Sequence, residues 1–66
     1  RLTIDAGEPI HSVTLLDVMG KVVGTYKFSN YMSKVEVQTY VLPDGVYSLK
    51  VQTDKGIYTT KFAKSR

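Results

Sequence analysis

The residues able to do chemistry in this chain are few, and their spacing decides what that chemistry is. His11 is the only histidine. With Asp5 or Asp17 as its orienting acid and Ser12, Ser29, Ser33 or Ser48 as nucleophile, it would have the parts of a catalytic triad. No nucleophile elbow or other local motif accompanies any of these serines, so a structural or solvated His11 is the expectation. The acids Asp5, Glu8, Asp17, Glu36, Asp44 and Asp54 are scattered through turns and polar faces. No two of them have the spacing of a glycosidase pair or a calcium loop. Gly7, Gly20, Gly24, Gly45 and Gly56 stand singly, which excludes a phosphate-cradling loop. No catalytic residue, metal site or cofactor is expected, and the chain reads as a non-enzyme.

Composition narrows the field further. Sixty-six residues make at most one domain, and so short a chain buries only about 60% of its unfolded surface. There is no cysteine to form a disulfide, and one histidine without a thiol does not make an ordinary structural zinc site. The formal charge of +3 is diffuse, with no Lys/Arg cluster interleaved with aromatics, so nucleic acid is not an expected partner. No apolar run approaches the roughly 18 residues that span a bilayer, and no signal peptide is visible; direct membrane insertion is not expected. A chain opening on Arg1 rather than Met reads as a piece of a longer protein.

The elements that must position these residues are strands. The organising stretch is Leu42-Pro43-Asp44-Gly45-Val46-Tyr47-Ser48-Leu49-Lys50-Val51. Pro43 fixes φ, Asp44 can bond its own backbone and Gly45 admits positive φ, so the stretch opens with a turn. A period-2 strand follows, with Tyr47, Leu49 and Val51 on one face and Ser48, Lys50 and Gln52 on the other. Residues 1–5 alternate briefly before Gly7 and Pro9 interrupt them. Residues 10–17 and 21–26 form a hairpin around Asp17-Val18-Met19-Gly20, with Gly20 at the left-handed position. Residues 27–33 lack a period and read as a loop. Residues 34–40 alternate strictly as a half-buried strand. Thr53-Asp54-Lys55-Gly56 is a hairpin turn, and residues 57–63 close the chain as a strand rich in β-branched and aromatic residues.

No segment has helical periodicity. Six short strands with turn signals between them predict one all-β domain, a β-sandwich or small barrel. The inward candidates are Leu2, Ile4, Val13, Leu15, Val22, Val35, Val37, Leu42, Tyr47, Leu49, Val51 and Phe62. Tyr47 and Tyr58 are expected in the core or as cross-strand partners rather than as a tyrosine binding surface. From Lys50 onward, Lys50, Lys55, Lys61, Lys64 and Arg66 face a single acid, Asp54. Such a basic end suits a strand edge guarded by lysines, or a surface for an acidic partner.

Three blocks, in order, resemble the type IX secretion system C-terminal sorting domain (type A) of Bacteroidetes secreted proteins. The first runs from Ile10 to Val23, with Gly20-Lys21 at its turn; the second is the Leu42-Pro43-x-Gly45-x-Tyr47 block; the third is Gly56 to Lys64. Together they cover over half the chain. Ser48, where the family usually has an apolar residue, the polar ending Ala63-Lys64-Ser65-Arg66 and the absence of a Pro-Asn-Pro entry depart from the pattern. The resemblance implies an immunoglobulin-like sandwich of six to seven strands, and residues 1–66 as a single sorting domain ending a longer precursor. It also implies a label read by outer-membrane translocon components, then removed by a sortase-like peptidase, on cargo that reaches the cell surface or medium. By the same resemblance Gly56, Lys61, Phe62, Ala63 and Lys64 would be the recognition residues. Gly20, Lys21, Leu42, Pro43, Gly45 and Tyr47 would hold the scaffold.

Two other readings remain open at this point. A fibronectin- or immunoglobulin-like accessory module of an extracellular enzyme would stay attached to its mature protein, whereas a sorting label is absent from it. A hydrolase fragment using His11 would lose activity on His11→Ala. Independently of function, so small a sandwich has thin edges that invite another chain, and a tendency to dimerise or exchange strands is expected. Analytical ultracentrifugation checks it: a monomer–dimer equilibrium is the expected outcome, and monomer alone at high micromolar concentration overturns it.

Overall fold

Alternation and turn chemistry produce six antiparallel strands and no helix in a computed structural model that describes residues 2–29, 31–39 and 42–65. They are β1 (Leu2–Asp5), β2 (Ile10–Leu16), β3 (Val22–Lys27), β4 (Lys34–Val37), β5 (Gly45–Thr53) and β6 (Gly56–Lys64). Arg1 and Tyr40, expected as strand ends, Asn30 in the expected loop, and Arg66 in the polar ending lie outside the described residues, as does Val41.

Four strands form one sheet in the order β3-β2-β5-β6, and β1 pairs with β4 in a second. The apolar faces of the two sheets meet in one core. Ile4 from β1 and Val35 and Val37 from β4 pack against Ile10, Val13 and Leu15 of β2 and Leu49 and Val51 of β5. This is the expected all-β sandwich, consistent with an immunoglobulin-like arrangement. The strict alternation of β4 has a simple outcome: Val35 and Val37 are buried while Lys34 and Glu36 are exposed. In β5 the alternation buries Tyr47, Leu49, Val51 and Thr53.

Two β-bulges correct the expected core. Between β2 and β5, Ile10 pairs with Thr53 and Ser12 with Gln52, so His11 is an extra residue on β2. Without it, Ile10 would lie on the opposite face from Val13, three residues on. The bulge turns Ile10 inward, and it is fully buried. Between β2 and β3, Leu15 pairs with Gly24 and Leu16 with Val22, leaving Val23 as the extra residue. Val23 therefore packs against the core. Val22, expected inward, is 53% exposed on the outer face beside Leu16. Leu2, Leu42 and Phe62 contribute as partly buried residues at the margin of the core.

The loop after β3 is tied down by backbone bonds. Phe28 N–H donates to the His11 carbonyl, Ile10 N–H to Met32 and Ala6 N–H to Ser33, each at 2.9 Å. These bonds join the edge of the larger sheet to the start of β4.

The burial pattern sets the energetic expectation. Leu15 is fully enclosed, and truncating such a side chain typically costs about 2–5 kcal/mol. Leu15→Ala should thus remove most of the stability of so small a domain, whereas Val22→Ala should stay within about 0.5 kcal/mol. Urea titration followed by circular dichroism reads both.

Candidate functional site

His11 does not assemble a triad. Its bulge position carries the ring across to the β5–β6 turn, where Nε2 lies 2.5 Å from Asp54 Oδ1, not beside Asp5 or Asp17. The adjacent Ser12 hydroxyl donates to Gln52 Oε1 at 3.2 Å instead of to the ring. The pair ties the tip of the last hairpin to β2. Among the described residues no group of three or more His, Asp or Glu side chains could hold a metal ion.

The turns are built by named side chains. At the β2–β3 turn, Asp17 Oδ1 accepts the N–H groups of Met19 and Lys21, both at 2.9 Å. The Asp17 carbonyl accepts Gly20 N–H at 3.0 Å, and Asp17 N–H donates to the Lys21 carbonyl at 2.9 Å. Gly20 has φ of 83°, a conformation that side chains disfavour. Before β5, the Tyr47 hydroxyl donates to the Pro43 carbonyl at 2.5 Å, pinning the turn that delivers the strand. At the β5–β6 turn, the buried Thr53 hydroxyl donates to Glu8 and accepts Lys55 N–H at 3.2 Å. Tyr58 also donates to Glu8, at 3.3 Å, so this one carboxylate joins the β1–β2 connection to the last hairpin.

The five expected recognition residues all fall on β6, which among the described residues pairs with β5 alone and leaves its other edge unpaired. The register divides them between two faces. Lys61 stands opposite Ser48 and Ala63 opposite Val46 on the outer face. Phe62 stands opposite Tyr47 on the inner face, their rings stacked with centroids 5.5 Å apart. Lys64 is half-buried, and its Nζ donates to the Leu42 carbonyl at 2.8 Å. Gly56 sits at the turn with φ of 141°. Lys61 and Ala63 are thus presented to solvent, while Phe62 and Lys64 also brace β6 against the Leu42–Tyr47 turn.

The charge around β6 is uneven. Lys27, Lys50 and Lys61 stand in the outward rows of the four-stranded sheet, among the hydroxyls of Ser12, Thr14, Thr25, Ser48 and Thr59. Among the described residues those rows contain no carboxylate. On the outer face of the smaller sheet, Asp5 and Glu36 accompany Lys34. Between β1 and β6 a mainly apolar groove of about 250 Å³ is floored by Leu49 and Val51 and walled by Ile4, Asp5, Ala6, Tyr58 and Thr60. It opens because the two-stranded sheet does not extend over β6. Sequence reasoning found β6 but missed this groove and the partnership of Glu8, since neither Tyr58 nor Glu8 signals the other at a separation of 50 residues.

Around β6 the described residues thus place a free strand edge, a basic outward face and an apolar groove side by side. A family model described as a secretion system C-terminal sorting domain matches residues 1–65. No curated protein and no solved structure matches the chain.

The Tyr47–Pro43 bond separates scaffold from surface. Tyr47→Phe removes a part-buried hydrogen bond and should cost about 1 kcal/mol. Lys61→Ser, on the exposed face, should stay within about 0.5 kcal/mol. Thermal unfolding of the two variants beside the parent protein tests the contrast.

Proposed function

The chain belongs to the family of secretion system C-terminal sorting domains, and from that premise we propose that β6 is the part of the label that the translocon reads. The domain is a type IX secretion signal, which directs its cargo across the outer membrane to the cell surface or the medium. It works as a signal, by engaging the secretion machinery, and not as a catalyst.

The observation that carries the finer reading is the free edge of β6, with Lys61 outward and the apolar groove alongside. An unpaired edge offers a row of backbone donors and acceptors to an incoming strand, and pockets on either side supply specificity. Gly56, Lys61, Phe62, Ala63 and Lys64 form the recognition strand. Lys61 contributes charge, Ala63 allows close approach, and Phe62 and Lys64 hold β6 flat against β5. Gly20, Lys21, Leu42, Pro43, Gly45 and Tyr47 hold the scaffold. Residues 1–66 act as one domain at the end of a longer precursor, and a sortase-like peptidase removes it after passage. The same free edge supports pairing with a second copy, as a homodimer or by strand exchange.

A fluorescent protein fused ahead of the 66 residues tests this in a host with the secretion system. The intact fusion should appear outside the cell, and mass spectrometry of the exported cargo should find it without the label. Fusions lacking residues 56–66, and the folded variant Lys61→Glu, should accumulate in the periplasm. Export of both at parental levels would overturn the assignment of recognition to β6.

A further inference from the structure

The β2–β3 turn presents two apolar side chains where turn chemistry does not ask for them. Met19 is 86% exposed, the highest value among the exposed large apolar residues described, and Val18 beside it is 74% exposed. The geometry of the turn is supplied entirely by Asp17 and Gly20, through the four hydrogen bonds around Asp17 and the positive φ of Gly20. Any residues could occupy positions 18 and 19, and polar ones are the usual choice at such sites. A single exposed apolar side chain is ordinary, but this pair is adjacent and rigidly mounted, and it continues into the exposed Val22.

Beside the tip lies a groove of about 340 Å³ on the outer face of the large sheet. Leu16, Asp17 and Val18 line one side, Val46, Ser48 and Lys50 of β5 lie along the middle, and Lys61 of β6 stands at the far side. Lys50 is on an inner strand of the sheet, so guarding an edge does not account for it. Asp17, the carboxylate that lines the groove, is engaged by backbone N–H groups of its own turn.

We propose that this tip and groove form a second docking surface, for a protein of the export machinery that offers an apolar socket to Val18 and Met19 and a carboxylate to Lys50 and Lys61. The proposal rests on the reading of the domain as a secretion signal, but not on β6 being the strand that is read. Its chemistry is that of a binding hot spot, a rigid apolar anchor beside a charged rim. A protein suits it better than a lipid surface. Val18 and Lys61 line opposite sides of a concavity with Lys50 between them, a relief complementary to a shaped partner, whereas a bilayer interface presents a plane.

The test uses the fluorescent fusion with β6 intact. V18S/M19S should lower export at least about tenfold, the loss expected when two apolar anchors go unburied. V18L/M19L, which keeps the tip apolar, should restore export to near parental levels. Circular dichroism and the urea midpoint of the isolated domain should be unchanged in both, since neither side chain supports the fold. K50E, which spares the β6 residues, should also lower export. Normal export of V18S/M19S overturns the proposal; if truncation of β6 blocks export in the same strain, the sorting assignment nonetheless stands. Failure of V18L/M19L to restore export also overturns it. Sedimentation with vesicles of phosphatidylcholine and phosphatidylglycerol decides the partner class. No tip-dependent binding is expected, and binding lost in V18S/M19S would move the surface to anionic lipid and overturn a protein socket.

Discussion

The seam between β2 and β5 is the interaction on which the other parts depend. Val13 faces Val51 and Leu15 faces Leu49 across it, and all four side chains are buried. Each of these strands carries one hairpin partner outward, β3 on one side and β6 on the other. The smaller sheet packs its Ile4, Val35 and Val37 onto the same residues. The two strands are joined neither by a turn nor by adjacency in the chain. Their pairing closes a long loop, at a cost in chain entropy that hydrophobic burial must exceed. In a domain without cysteine, this seam at the centre of the larger sheet is where both sheets share their buried contacts, and it is the main source of cooperativity.

Much of this was legible in the sequence because β5 and β4 alternate without interruption and the turns at Gly20 and Gly56 have explicit chemistry. What was not legible follows from two extra residues. A bulge leaves no compositional mark, yet it reverses the facing of every residue beyond it. His11 does this for Ile10, and Val23 does it for Val22, so one core residue was overlooked and one surface residue was placed inside. Partnerships across the sandwich were equally hidden. Asp54 is 43 residues from His11, and only the folded register brings the two together. The expected recognition residues were legible as a stretch of chain, but a strand has two faces, and Phe62 and Lys64 belong partly to the scaffold.

The sandwich is also lopsided, and the imbalance has a physical consequence. Four strands face two, so the inner side of β6 is covered only in part, and Tyr58 remains half exposed above the groove. Among the described residues the edge of this nine-residue strand is uncovered, and such an edge is open to pairing with any chain that offers a strand. The lysine on the outward side of this strand makes pairing with an acidic strand more favourable than pairing with an identical basic edge, without preventing the latter. One feature thus serves solubility and selectivity together, since specificity is a difference between affinities and repulsion contributes to it as much as attraction.

Hydrogen bonding and display fall on different residues. Asp17, Tyr47 and Thr53 direct their polar groups into turns, and among the described residues no buried side-chain polar atom lacks a partner. The side chains these turns hold up, among them Met19 and Lys61, contribute little to folding. Substitution there changes what the surface meets without changing whether it exists. Among the described residues nine apolar side chains are buried, a small core, so substitutions at the exposed positions disturb the fold least.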